Sequence, residues 1–386
     1  MKLIYVANIR IPTEKAHGIQ VMKMCESFAR AGTEVELVVP SRQNSIPTEA
    51  FHYHGVEPLF RIKRLPTIDI LGWGKIGFYL QLLTYITSLF CFLVGKRIRN
   101  GSDDTVVYVR GEPILFLGWI ARYVYPVFWE THIKPPAYLQ AYLRVIRALK
   151  GVVTVTDYYK QELRNVYSIA PEVCWAPDGV DITQINISSS LNDVRTKLGL
   201  PHDKTLVLYT GSFYLYDYKG VDVLIEASQY LPEGYLVVLV GGSPKDIERI
   251  KASGVTLQNV LLIPHVPHTD IPLYLRSADV LVLPNKKGDE ISEKYTSPLK
   301  LFEYMAAKKP IVSSNTICLK EILNDTNAYL FEASNANLLA KAVLDVGRDK
   351  EVADRRINQA FADVLELTWE KRAKVIITFI QKQISA

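Results

Sequence analysis

Short apolar runs that read as buried β-strands recur along this chain, and stretches of helical periodicity separate them. A first series lies at residues 2–7 (KLIYVA), 34–40 (EVELVVP), 106–109, 127–130 and 151–156. A second lies at 206–210, 236–240, 260–263, 280–283 and 311–313. Helical patterns fill the gaps at 19–31, 220–231, 270–277, 298–307 and 319–324, and a last one covers about 352–383. Strands that alternate with helices must form parallel sheets covered on both faces, because only a crossover returns the chain to the next parallel strand. Two such series predict an α/β protein of two doubly wound, Rossmann-like halves facing across a cleft. Ligands in such sheets sit at the carboxyl ends of the strands. The polar run at 182–200 (ITQINISSSLNDVRTKLGL) reads as the linker between the halves.

The 386-residue length suits two domains. At 48% apolar and 22% charged residues, a disordered chain is excluded. Cys25, Cys91, Cys174 and Cys318 are widely spaced with no CxxC, which predicts reduced thiols, a cytoplasmic setting and no zinc site. The opening MKLIYVANIRIP has too short an apolar run for a signal peptide. Residues 1–190 carry 21 basic and 16 acidic residues, whereas 191–386 carry 24 of each. The basic excess is concentrated at 51–100, with seven basic and two acidic residues. That suggests a phosphate-bearing or membrane partner for the first half; it lacks the domain-wide basic stripe of a nucleic-acid binder.

Residues 76–95 (IGFYLQLLTYITSLFCFLVG) are uncharged and are followed by Lys96, Arg97 and Arg99, so length and flank fit a spanning helix. Gln81, Thr84, Thr87 and Ser88, however, form a polar stripe at helical spacing. A helix buried on a sheet or lying at a membrane interface is therefore the preferred reading over a span.

Four segments carry candidate chemistry. The loop NIRIPTEKAHG ends at Gly18, where a glycine ahead of a helix either lets backbone N–H groups approach a phosphate or simply caps the helix. The turn YTGSFYLYDYKG follows the first strand of the second half; Lys219 at its end is placed to reach a diphosphate, or is merely solvated. In FWETHI, Glu130 and His132 lie just past a strand end, as a proton carrier and its partner or as a structural pair. In EKYTSPLKLFEYMAAKKPIV, Thr296 and Ser297 are N-cap types and Pro298 suits a first helical turn. Lys300 and Glu303 share a face there; a carboxylate accepts from a ribose diol and a lysine holds a phosphate, or the two form an ordinary surface ion pair. No Asp-x-Asp occurs, so a metal-bridged diphosphate has no evident ligand pair. GxSxG, HExxH and kinase-type signatures are also absent.

Taken in order, these segments resemble the family-4 (group 1) retaining glycosyltransferases of GT-B fold. The matching stretches also include WAPDGVD, LVGGSP, HVPHTDIPLYLRSADVLVLPN and LTWEKRA. The resemblance implies an acceptor-side domain at 1–183, a nucleotide-sugar donor domain at 184–365 and a returning C-terminal helix at 366–386. It implies glycosyl transfer from a nucleotide-sugar, such as a UDP- or GDP-hexose, with retention and without a catalytic metal or other cofactor. The acceptor is expected to be lipid-linked or saccharide, in cell-surface polysaccharide or glycolipid synthesis. The enzyme is expected to be cytoplasmic, with peripheral contact to the inner membrane face through 51–100. Carried over by position, Gly18, Gly211, Ser212, Lys219 and Lys300 meet the donor phosphates or sugar, with Thr296, Ser297, Pro298 and Leu299 beside them. Val266 and Pro267 lie by the base, and Glu303 binds the ribose. His132, Lys219 and Glu303 are the expected catalytic residues, and Arg110, Glu130 and His132 face the acceptor. The sequence departs from the family pattern where Tyr295 replaces the first carboxylate of the Glu-x7-Glu pair, with Glu290 or Glu293 as substitutes. It departs again where Ser212 replaces a phosphate-binding Arg and Asp178 an Asn. The missing first carboxylate and Arg keep a non-catalytic sugar-nucleotide-binding protein as an alternative, and a sugar-nucleotide 2-epimerase of similar fold is another.

Overall fold

The computed structural model describes residues 1–100, 104–111, 122–132, 144–169, 171–213 and 217–385. Ile133 of FWETHI and residues 214–216 of the YTGSFYLYDYKG turn lie outside them. The chain forms two units, Met1–Pro177 with Trp369–Ala386, and Asp178–Thr368.

The first unit is built on a seven-stranded parallel sheet in the order β3-β2-β1-β4-β5-β6-β7. Its strands are β1 (Lys2–Ala7), β2 (Glu34–Pro40), β3 (Arg61–Leu65), β4 (Thr105–Arg110), β5 (Val127–Thr131), β6 (Gly151–Thr154) and β7 (Val173–Trp175). Helices α1 (Ala16–Arg30), α2 (Ala50–His54) and α3 (Gly74–Asn100) make the early crossovers. The central strands are buried along nearly their whole length, as a sheet covered on both faces requires. Tyr5, Phe28 and Tyr108 pack ring against ring in the core.

The second unit holds a six-stranded parallel sheet, β10-β9-β8-β11-β12-β13. These are β8 (Thr205–Thr210), β9 (Tyr235–Gly242), β10 (Val260–Pro264), β11 (Val280–Leu283), β12 (Ile311–Ser314) and β13 (Tyr329–Phe331). The expected strands of both series are all present. The three unexpected ones, β3, β7 and β13, each lie at a sheet edge. β3 reads RIKRL and has no apolar run, as an edge strand open to solvent allows, while β7 (VCW) and β13 (YLF) are only three residues long and too short to stand out.

Two expectations are corrected. The polar run at 182–200 is not a linker: it forms the helices Ile182–Ile185 and Leu191–Leu198, capped by Asp181 and Ser190. Ser, Asn and Asp favour N-caps as much as loops, so composition alone cannot separate the two. Arg195 of that run is buried, with its guanidinium on Asp279 at 2.6 Å and on the Ser277 carbonyl at 3.0 Å. The last helix is two helices, Lys350–Val364 and Trp369–Ser385. The break lies where the Leu367 carbonyl accepts from Val180 N–H and the chain leaves the second unit. Helix Trp369–Ser385 then packs on α1 of the first unit, with Phe379 against Phe128 at 5.9 Å between ring centroids.

Helix α3 departs from the reading of a helix buried on the sheet by its apolar face: it turns its polar stripe inward. Gln81 is 1% exposed and trades hydrogen bonds with Asn8 (3.3 and 3.1 Å). Thr84 meets Thr67 at 3.0 Å, and Ser88 donates to the Pro66 carbonyl at 2.7 Å. Tyr85 donates to the Val38 carbonyl at 2.8 Å. The polar stripe thus faces the protein. Much of the apolar surface faces outward: Trp73, just ahead of the helix, is 71% exposed, Ile76 68% and Leu83 62%.

Candidate active site

In each sheet the strand order reverses at one point, between β1 and β4 in the first unit and between β8 and β11 in the second. The connections that leave the two neighbouring strands run in opposite directions there, and the carboxyl ends leave room for a ligand. Most of the predicted site residues fall at these two places.

In the first unit, Arg110 ends β4 and pairs in register with Glu130 on β5. Glu130 is fully buried. Its Oε1 accepts from Gln20 Nε2 (2.7 Å) and from the Arg372 guanidinium (3.1 Å), and its Oε2 accepts from the Tyr108 hydroxyl. His132 Nε2 lies 2.6 Å from the same Oε1. Arg110 Nε donates to Gln20 Oε1 at 2.7 Å, closing the network. Burial alone would raise the Glu130 pKa, but Arg372, His132 and Arg110 hold it well below the ordinary carboxylate value. An ionised carboxylate only accepts, so His132 donates to it from Nε2–H. That arrangement orients a half-buried imidazole, as a positioned proton carrier requires. His17, in the first turn of α1, is held down to about 3 by burial, then by Arg110, Lys15 and His132, and is neutral.

Gly18 does not precede α1; the helix starts at Ala16, and Gly18 lies in its first turn. A Cβ there would come within 2.3 Å of Thr13 Cγ2 and 3.1 Å of His54 Cε1, so close packing already accounts for the glycine. The capping alternative is corrected: Lys15 is the N-cap of α1, and packing against Thr13 and His54 explains the glycine.

In the second unit, Gly211 follows β8 with φ +128°, a conformation open to glycine. Ser212 accepts at Oγ from Lys219 Nζ at 2.8 Å. Gly220 is left-handed at φ +70°, and a Cβ there would sit 1.8 Å from the Pro284 carbonyl oxygen just past β11. The chain can make that approach only with glycine, which seats Lys219 at the switch point. Burial pulls the Lys219 ammonium down to about 8. Lys300 Nζ stands 3.5 Å from the centroid of the Tyr209 ring, and a Cβ at Gly211 would approach it to 3.2 Å. Burial, then the charge of Lys219, hold Lys300 well below the ordinary lysine value. Two lysine amino groups thus share one poorly solvated place, where a bound anion would favour their charged forms.

Helix Leu299–Ala306 begins beside them with Pro298 at the N-cap and no side-chain cap. Thr296 and Ser297 do not cap it, contrary to expectation. Thr296 Oγ1 donates to the Ile291 carbonyl at 2.7 Å, and Ser297 Oγ accepts from Asp178 N–H at 3.2 Å. Lys300 and Glu303 do not pair with each other. Glu303 is 8% exposed and its Oε1 lies 2.7 Å from His268 Nε2. His268 follows Val266 and Pro267 in the loop after β10, so the structure links the expected base and ribose positions. Tyr295 is buried, and its hydroxyl reaches Glu290 Oε1 at 3.4 Å. Glu293 instead accepts from Gly288 N–H at 2.7 Å, leaving Glu290 as the carboxylate at the Tyr295 position.

Sequence reasoning missed His17, Gln20, Tyr108, Tyr209, His268 and Arg372. Four carried a local signal: His17 adjoins Gly18, Tyr209 opens YTGSFYLYDYKG, His268 sits inside HVPHTD and Arg372 inside LTWEKRA. What no window shows is the contact of Arg372 with Glu130, 242 positions away.

The family model for glycosyl transferases group 1 matches residues 192–363. The chain carries a group 1 glycosyltransferase domain. The chain is 23% identical over 370 residues to the D-inositol 3-phosphate glycosyltransferase of Xylanimonas cellulosilytica, covering 87% of this chain and 85% of that one. Its fold matches sucrose-phosphate synthase of Thermosynechococcus elongatus with a TM-score of 0.78 at 20% identity, over 100% and 99% of the two chains. Anabaena HepE in complex with UDP and glucose matches with a TM-score of 0.75 at 14% identity, over 99% and 100%. The chain has the GT-B fold.

Proposed function

We propose that this glycosyltransferase takes its sugar from a nucleotide-sugar and transfers it with retention of anomeric configuration, without a catalytic metal. The observation that carries the reading is the pair of desolvated lysine amino groups, Lys219 on Ser212 and Lys300 over Tyr209, at the β8/β11 switch point. They supply the positive charge that a leaving diphosphate needs, assisted by the uncapped start of helix Leu299–Ala306. Glu303 takes the ribose hydroxyls, exchanging its His268 partner for the diol. Glu290, against Tyr295, takes the role of the first family carboxylate toward the sugar. On the acceptor side, His132 holds or receives the acceptor proton, and Glu130 and Arg110 orient it. HepE, of the same fold, holds UDP and glucose, which supports a uridine or related diphosphate donor.

The acceptor is lipid-linked or saccharide, in cell-surface polysaccharide or glycolipid synthesis at the cytoplasmic membrane face. The outward apolar face of α3 and the basic stretch at 51–100 support that placement.

A thermal-shift screen against UDP-, GDP-, ADP- and TDP-sugars without added metal tests the donor assignment, since a ligand of the folded state raises the melting temperature. One nucleotide should stand out, and NMR of the product anomer with that donor then tests retention. No shift with any nucleotide, with or without magnesium, would refute the donor reading. A shift without transfer to any acceptor would favour a sugar-nucleotide-binding protein.

A further inference from the structure

We infer that the outward face of α3 docks this protein on an anionic lipid surface, with the helix lying in the interface. The inference deepens the membrane placement above and rests on it only for biological purpose; the docking itself needs neither donor nor acceptor.

Helix α3 is a surface helix of a parallel α/β unit with its polarity reversed. Gln81, Thr84, Tyr85 and Ser88 turn inward and hydrogen-bond to Asn8, Thr67 and the carbonyls of Val38 and Pro66. Outward, Trp73, Ile76, Tyr79, Leu83, Phe90 and Ile98 are between 38% and 78% exposed, along one side of a helix about 40 Å long. Water-facing helices do not carry such a stripe without a partner. The inward bonds argue against a span: in hydrocarbon the Gln81 and Thr84 side chains would lose the partners that satisfy them.

Charge selects the partner. Arg61, Lys63 and Arg64 on β3, which contacts α3, are exposed, as are Lys75 at one end of the helix and Arg99 at the other. Residues 51–100 hold only Glu57 and Asp69 as acids, and Asp69 faces Arg42 at 3.6 Å. A second copy laid face to face on the same surface would oppose these cations to one another. An anionic bilayer meets the apolar stripe with acyl chains and the cations with headgroup phosphates.

The test is sedimentation of the full chain with sucrose-loaded vesicles, of phosphatidylcholine alone or with about a third phosphatidylglycerol. Binding should be at least about tenfold stronger to the anionic vesicles and should weaken as salt rises from about 0.1 M to about 0.5 M. Leu83→Glu with Ile76→Glu should abolish it while leaving the nucleotide-sugar thermal shift unchanged, which also shows that the variant folds. Arg61→Glu with Lys63→Glu should remove the preference for anionic lipid. Equal sedimentation of wild type and the Leu83→Glu, Ile76→Glu variant would overturn the inference. So would a dimer that those substitutions dissociate, in protein that binds no vesicle. Vesicle binding without any nucleotide shift would defeat the donor reading and leave the docking intact.

Discussion

Lys219 provides the sharpest test of the donor site, because its charge is set by the pocket it lies in. Its pKa of about 8 makes it about nine-tenths charged at pH 7 and about one-tenth charged at pH 9 in the free protein. A diphosphate binds the charged form, so its apparent Kd is multiplied by the reciprocal of the charged fraction. From pH 7 to pH 9 the Kd should rise about tenfold, or ~1.4 kcal/mol, with most of the change above pH 8. Titration calorimetry with UDP, or with whichever nucleoside diphosphate the thermal screen selects, measures this at constant ionic strength. Near pH 8 the protein should take up about half a proton on binding, read from the dependence of the heat on buffer ionisation enthalpy. Lys219→Met should bind more weakly at pH 7 and lose the slope that Lys219 supplies. Lys219→Arg should lose that slope while keeping a cation, because a guanidinium does not titrate in this range. A wild-type Kd constant within about twofold over the range would refute the reasoning, as would an unchanged slope in Lys219→Met.

Other outcomes follow from the same geometry. Glu303→Ala should lower turnover by at least about a hundredfold while the circular dichroism spectrum is kept, and a wild-type rate would remove Glu303 from the site. His132→Ala should reduce transfer by about a hundredfold or more with donor affinity within about threefold of wild type; equal loss of both would move His132 to the donor. Gly220→Ala should cost more than the ~1–2 kcal/mol of a left-handed alanine, because the Pro284 carbonyl must also move; urea unfolding measures it, and a loss under ~1 kcal/mol would contradict the close approach. Glu130→Gln should destabilise the protein by about 3 kcal/mol at pH 7, as it leaves Arg372 buried without its counter-charge. The Glu130 pKa is depressed on folding, so its stabilisation is present above the unfolded value of about 4.3 and is lost as pH falls below it. The gap in urea midpoint between wild type and Glu130→Gln should therefore be level above about pH 5 and narrow below about pH 4; a gap that widens on acidification would reverse the sign.

How legible the site was depended on how locally it is built. Gly211, Ser212, Lys219 and Gly220 follow one strand within ten positions, and the strand–turn–helix pattern marks them. Lys300 and Glu303 stand out as charges in an apolar helix. Their partners were not legible: the pattern suggests a pair between them, whereas Lys300 lies on Tyr209 and Glu303 on His268. The Glu130 network draws on α1, β4, β5 and a helix at the far end of the chain, and no short window holds more than two of its members.

The sequence by itself determined the architecture, because a parallel strand buried on both faces must be apolar throughout and its crossover must be helical. That constraint is local and leaves its mark at β1, β2, β8 and β11, where strand bounds or cores were read directly. It leaves no mark in a charged edge strand such as β3 or in strands of three residues such as β7 and β13, so these and the two helices of the 182–200 run came only from the fold. The direction of α3 was likewise decided by tertiary structure. Twenty uncharged residues with one polar stripe are compatible with either face inward. What chose between them is that the loop at Asn8, the Pro66–Thr67 turn and the Val38 carbonyl needed hydrogen-bond partners, and Gln81, Thr84, Tyr85 and Ser88 were the groups that could supply them.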